Sequence, residues 1–165
     1  MPGPIDDLLS RDHARLEALL QRAIAEPGVI EMTAYAEFRA GLLRHIAMEE
    51  KVLFVDARQR RNGVALPVVA QLHADHAALA GLLVPPPTHE LISTIRTVLA
   101  EHDPLEEGPG GLYEACEQLA GTEVDEIVAR LHAIPAVRAS QHVDEPRVYA
   151  SIARLLAARA TTPRS

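Results

Sequence analysis

Residues 42–54 read LLRHIAMEEKVLF, and this stretch decides the fold. It carries His45 and Glu49 four positions apart, which on a helix places both side chains on one face. Phe38 and Leu42 precede them on that face, and Val52 and Leu53 follow. An imidazole and a carboxylate therefore interrupt an apolar stripe where leucine is the ordinary choice. Burying them is costly unless they are paired or bind something. A metal ion is the natural compensation, with its remaining ligands on other helices.

Working outward, the same pattern recurs. A first helix is predicted over about residues 5–25, with Asp6 and Asp7 in its first turn and His13 on the stripe of Ile5, Leu9, Leu16 and Leu20. The second is read as one unbroken helix from a Thr33 cap to about Arg61, stopped by Asn62-Gly63. A third opens near Pro67 and aligns Leu72, His76, Leu79 and Leu83 before Pro85-Pro86-Pro87. A fourth follows a Thr88 cap and aligns Leu91, Ile95, Val98 and His102, with Glu106 four residues on. Pro104 is expected to kink or restart that helix, and Gly108-Pro109-Gly110-Gly111 to end it. A helical piece at 112–119 completes the first domain, residues 1–120. Residues 121–165 read as a C-terminal extension with helices near 124–131 and from Pro146, and a frayed end at 161–165.

The expected fold class is all-α: an up-down-up-down four-helix bundle with a short C-terminal helical appendage packed on or beside it. A chain of 165 residues with 48% hydrophobic and 3% aromatic residues favours an Ala- and Leu-rich helical core over a β-sandwich. A net charge of -7 argues against nucleic acid or an anionic membrane as partner. No run of eighteen apolar residues exists, the first ten residues lack a signal-peptide pattern, and the single Cys116 excludes an internal disulfide. A cytoplasmic location is the expectation.

Axial level can be checked by counting. His13 lies about 13 residues from the end of its helix and His45 about 13 from the start of the next, roughly 20 Å in each case. His76 and His102 differ by roughly 9 Å, which three prolines in extended form can span. One such histidine alone is ordinarily a core residue bonded to a carbonyl. Four on four stripes, two followed at i+4 by glutamate, form a ligand set. Imidazole and carboxylate without thiolate suit iron, manganese or zinc. Glu49 and Glu106 can each bridge two ions. No histidine has a glutamate three before it, so the Glu-x-x-His pattern of ferritin-like di-iron bundles is absent.

Asp12-His13-Ala14-Arg15-Leu16, then His45-Ile46-Ala47-Met48-Glu49-Glu50, Asp75-His76-Ala77-Ala78-Leu79 and His102-Asp103-Pro104-Leu105-Glu106-Glu107 follow in order. Together they resemble the hemerythrin-like, or HHE cation-binding, domain family. The resemblance implies a non-haem centre of two iron ions bridged by two carboxylates and an oxo or hydroxo group. By position, His13 and His45 would bind one iron, His76 and His102 the other, and Glu49 and Glu106 would bridge. The oxygen-carrying members have a further histidine where Leu72 stands here. His73, one residue later and about 100° around the helix, is the candidate seventh ligand. If Pro104 displaces Glu106, Glu107 or Glu50 would substitute. Glu50 and Glu107 otherwise read as supporting or solvated groups, and Tyr113 as a side chain able to approach the site and limit ligand access. His89, His132 and His142 are expected to face solvent.

The resemblance implies a protein that binds or senses oxygen, nitric oxide, iron or redox state through an open coordination position. One alternative is an enzyme that turns over peroxide or nitric oxide or donates iron for repair. Another is a helical scaffold with a structural metal, in which residues 121–165 bind a partner or form a homodimer.

Overall fold

The computed structural model describes residues 2–163, and among these it is all-helical, 73% helix with no strand. Helix α1 spans Pro4–Ala23, with proline at its first position and Asp6 and Asp7 at its positive end. Helix α2 spans Met32–Met48. Its cap is Glu31 rather than Thr33: the helix starts earlier, and the Glu31 carboxylate accepts from the Ala34 N–H at 2.9 Å.

The single helix expected through residue 61 is instead interrupted. A π-helical turn occupies Glu49–Leu53, closed by the Phe54 N–H donating to the Glu49 carbonyl, and α3 continues over Phe54–Arg60. The turn holds one residue more than an α turn, so the stripe is rotated after Glu49. Val52 and Leu53 stay buried while Glu49 also points inward. Asn62 and Gly63, both at positive φ, end α3.

Helix α4 spans Val69–Leu82, and α5 spans His89–Glu107 with Thr88 accepting from the Leu91 N–H at 3.0 Å. Helix α5 runs through Pro104 without a break, so the expected restart does not occur. It lies in the closing turns, and the carbonyl deprived of its donor belongs to Ala100, an exposed residue within reach of water. Helix α6 (Leu112–Ala120), a 3₁₀ turn (Gly121–Glu123), α7 (Val124–His132) and α8 (Pro146–Thr161) complete the chain. Thr161 is still helical, and the rest of the expected frayed end falls partly on residues 164 and 165, outside the described residues. No helix among the described residues is long and apolar enough to cross a membrane.

The core is divided in two. One cluster gathers Leu16, Leu20, Phe38, Leu42, Leu79 and Val98, joined by Val148 and Ile152 of α8. The other gathers Leu9, Met48, Leu53, Leu72, Leu112 and Tyr113, joined by Ile127 and Leu131 of α7. Along α1, α2 and α4 the chain passes from one cluster to the other, and a histidine stands at each crossing: His13 between Leu9 and Leu16, His45 between Leu42 and Met48, His76 between Leu72 and Leu79. On α5, His102 follows Val98 in the same way. The polar residues therefore form a belt between two apolar halves. The extension is tied to the rest by the Val143 N–H to the Val84 carbonyl at 3.0 Å and by Arg39, which donates to the carbonyls of Leu83 and Ser140.

Candidate metal centre

Two groups of donors occupy the belt. His13, His45, Glu49 and Glu106 offer atoms all within 4.8 Å of one another, and so do Glu49, His76, His102 and Glu106. The two glutamates belong to both groups. His45 Nε2 lies 3.1 Å from Glu49 Oε1, and His13 Nε2 lies 3.3 Å from Glu106 Oε2. The other oxygens face the second pair: His76 Nε2 is 3.1 Å from Glu49 Oε2, and His102 Nε2 is 2.9 Å from Glu106 Oε1. Each carboxylate thus turns one oxygen to each histidine pair. Glu49 and Glu106 are fully buried, and His45, His76 and His102 nearly so.

Every one of these histidines is held from behind by a carboxylate at Nδ1. His13 meets Glu107 at 2.5 Å, His45 meets Asp12 at 2.8 Å, His76 meets Glu50 at 3.0 Å and His102 meets Asp75 at 3.2 Å. A carboxylate on Nδ1 favours the tautomer with its proton there, leaving Nε2 free to donate a lone pair inward. The sequence hides a simple rule behind this. In each Asp-His pair, Asp12-His13 and Asp75-His76, the aspartate serves the histidine of another helix. In each Glu-Glu pair the first residue points to the centre, and the second holds a histidine of another helix. Sequence reasoning gave Asp12 and Asp75 no role. The repeated Asp-His and Glu-Glu doublets were the available signal.

Electrostatics follow from crowding four imidazoles and two carboxylates in a buried space. Burial alone would lower the His45 pKa, but the Glu49 charge and the hydrogen bonds that His45 donates to Asp12 and Glu49 outweigh it and push it up to about 10. His102 rises to about 9 against the same burial, chiefly through the Glu106 charge and the Asp75 hydrogen bond. His76 is also raised. Burial and mutual repulsion would raise Glu49, yet the charge and hydrogen bond of His45 hold it well below the ordinary carboxylate range. Glu106 is likewise lowered, against its burial, by His102.

The metal-free pairing is incomplete. Among the described residues, six buried side-chain atoms lack a hydrogen-bond partner, and three are second-group donors: Glu49 Oε2, His76 Nε2 and Glu106 Oε1. They lie close to oppositely charged groups but are not aligned for hydrogen bonds. Unsatisfied buried donors and acceptors are costly, and their concentration at one point fits a cation.

His73 is the one candidate ligand outside both groups. Its side chain is 68% exposed, and its Nδ1 meets Glu50 at 2.9 Å. The α4 backbone turns it to the rim, where it shares Glu50 with His76. Tyr113, by contrast, stands against the first group: its hydroxyl donates to Glu49 Oε1 at 2.6 Å and lies 3.2 Å from Glu106 Oε2. Cys116 is a buried free thiol. Of the remaining histidines, His89 and His132 are exposed, whereas His142 faces Tyr35 and lies 3.3 Å from the Val84 carbonyl.

Behind the second group stands a residue from α8. Arg159 Nε donates to Asp75 Oδ1 at 2.7 Å, and its Nη2 lies 3.0 Å from Glu101 Oε2. Arg159, Asp75 and His102 form a continuous line from the C-terminal extension to the donors.

A family model described as the hemerythrin HHE cation binding domain matches residues 5–132. The match starts in α1 and ends with α7, so α8 and Arg159 lie beyond it. No curated protein and no solved structure matches the chain.

Proposed function

The chain belongs to the hemerythrin HHE cation-binding family, and we propose that it holds two iron ions in the belt and binds or senses a small diatomic ligand, oxygen or nitric oxide. In this reading α1, α2 with its π turn, α4 and α5 run up-down-up-down as a four-helix bundle. His13 and His45 hold one ion, His76 and His102 the other, and Glu49 and Glu106 bridge. His73 is left out of the ligand set. One observation carries the reading: four histidines turn Nε2 toward two shared carboxylates while a carboxylate secures each Nδ1.

The irons would supply the redox electrons and the exchangeable position that a diatomic ligand needs. The chain does the rest. It presents imidazoles that would give up their protons to a bound cation together with charged carboxylates, and it keeps bulk water out with Leu9, Leu53, Leu72 and Leu79, all fully buried. Phe54 stacks on His76 with ring centroids 5.8 Å apart and fixes that ring from the side. Leu72, one turn before His76, offers no donor, so the second group has four protein donors.

The test is anaerobic loading with iron(II), elemental analysis, and a visible spectrum before and after exposure to air. Two irons per chain and a charge-transfer band on exposure are expected. Protein that holds only zinc or manganese under iron excess, or two irons with no spectral response to oxygen or nitric oxide, would overturn the proposal.

A further inference from the structure

We infer that Tyr113 is a fifth protein donor to the first metal position, so that the two positions are unlike and the exchangeable ligand enters at the second. This rests on the two-ion reading above. The observation is the position of the hydroxyl. Tyr113 Oη lies 2.6 Å from Glu49 Oε1, 3.2 Å from Glu106 Oε2, 3.3 Å from His13 Nε2 and 3.4 Å from His45 Nε2. All four atoms are first-group donors. Among the described residues, the hydroxyl makes no such contact to the nitrogens of the second pair.

These lengths have a geometric meaning. Donors about 2.1 Å from an ion and at right angles to each other stand about 3.0 Å apart. Neighbouring donors of the first group keep that spacing, at 3.1 Å and 3.3 Å. Tyr113 Oη is near that distance from all four at once, which is the place of an axial donor above four others. A phenol that merely capped one carboxylate would be near one or two of these atoms.

The ring is also fixed there. Tyr113 is fully buried on α6, a helix that packs on α1, which carries His13, and on α5, which carries Glu106. With Tyr113 counted, the first position has five protein donors and the second has four. Leu72 adds nothing to the second, so the position with fewer donors is the one left for an incoming ligand. On binding to iron(III), the phenol oxygen forms a bond to the metal and its proton passes to solvent.

The experiment loads wild type and Tyr113→Phe with iron(II) without oxygen, oxidises both in air, and records iron per chain, the visible spectrum and the resonance Raman spectrum. Wild type should show a phenolate-to-iron(III) band with tyrosine ring modes that shift when the protein is labelled with ring-deuterated tyrosine. Tyr113→Phe should lose the band and the modes while keeping its iron, and Tyr35→Phe should keep both. Iron-loaded wild type without coordinated-tyrosine modes overturns the inference, and that measurement stands even if the Phe variant fails to fold. A band that survives in Tyr113→Phe also overturns it. Fewer than two irons per chain counts against the two-ion reading instead, and the Raman modes of whatever iron is bound still decide the role of Tyr113.

Discussion

Glu49 and Glu106 face each other across the belt, each with one oxygen toward the His13–His45 pair and one toward the His76–His102 pair. Neither can be removed without opening both positions. Glu49→Ala is expected to lower bound iron from two per chain toward none, whereas His102→Ala should lower it toward one. Elemental analysis after gel filtration distinguishes the two. Equal losses for both variants would contradict the shared-carboxylate arrangement.

His73 and His76 are three residues apart on α4 but differ in burial, with side chains 68% and 2% exposed. His73→Ala should retain full metal content and change stability by less than about 0.5 kcal/mol, as surface substitutions do. His76→Ala should lose an ion. A drop in metal content for His73→Ala would return that residue to the ligand set.

The pH dependence of stability should differ between metal-free and metal-bound protein. In metal-free protein His102 is raised to about 9 and His45 to about 10, from an ordinary 6.5. The folded state then holds more protons than the unfolded state across this window. The stabilisation is complete below pH 6.5 and is lost as pH rises through about 9 and 10. Glu49 acts at the other end, its contribution present above about 4.5 and lost in strong acid. Metal displaces the imidazole protons, so the rise in Tm on adding zinc or iron should grow as pH rises. Thermal unfolding from pH 6 to 9.5, with chelator and with metal, measures both slopes.

Arg159→Met should destabilise the protein by about 3 kcal/mol, because it leaves the fully buried Asp75 carboxylate without its cationic partner. Asp75 would keep its contacts to Gln71 and His102, which holds the loss below complete unfolding. Denaturant titration reads the change. A variant indistinguishable from wild type would mean that the ion pair contributes nothing net.

Much of the centre was legible because it rests on spacing alone. Stripes with period 3.6 place His13, His45, His76 and His102 inward, and an i+4 glutamate must share the face of its histidine. What escaped depends on contacts between distant segments or on backbone choices that no residue announces. Nothing in EEKVL forbids an α turn, and the π turn follows from packing on both sides of Glu49. Pro104 signals a break, yet its place near the end of α5 makes it tolerable. Arg159 is 84 residues from Asp75, so local pattern carries no trace of that contact, and Tyr113, 64 from Glu49, was legible only as a side chain able to approach the site, not as one bonded to its carboxylates.

The belt also constrains how the helices can sit against one another. Apolar side chains on neighbouring helices are broadly interchangeable, and a leucine seam by itself tolerates a slip of one turn. Here a slip of one helix would drive a leucine against the carboxylates and strand a histidine among hydrocarbon. The residues that form the centre therefore act as a depth gauge, admitting a single vertical alignment of the helices whose greasy contacts alone would accept several.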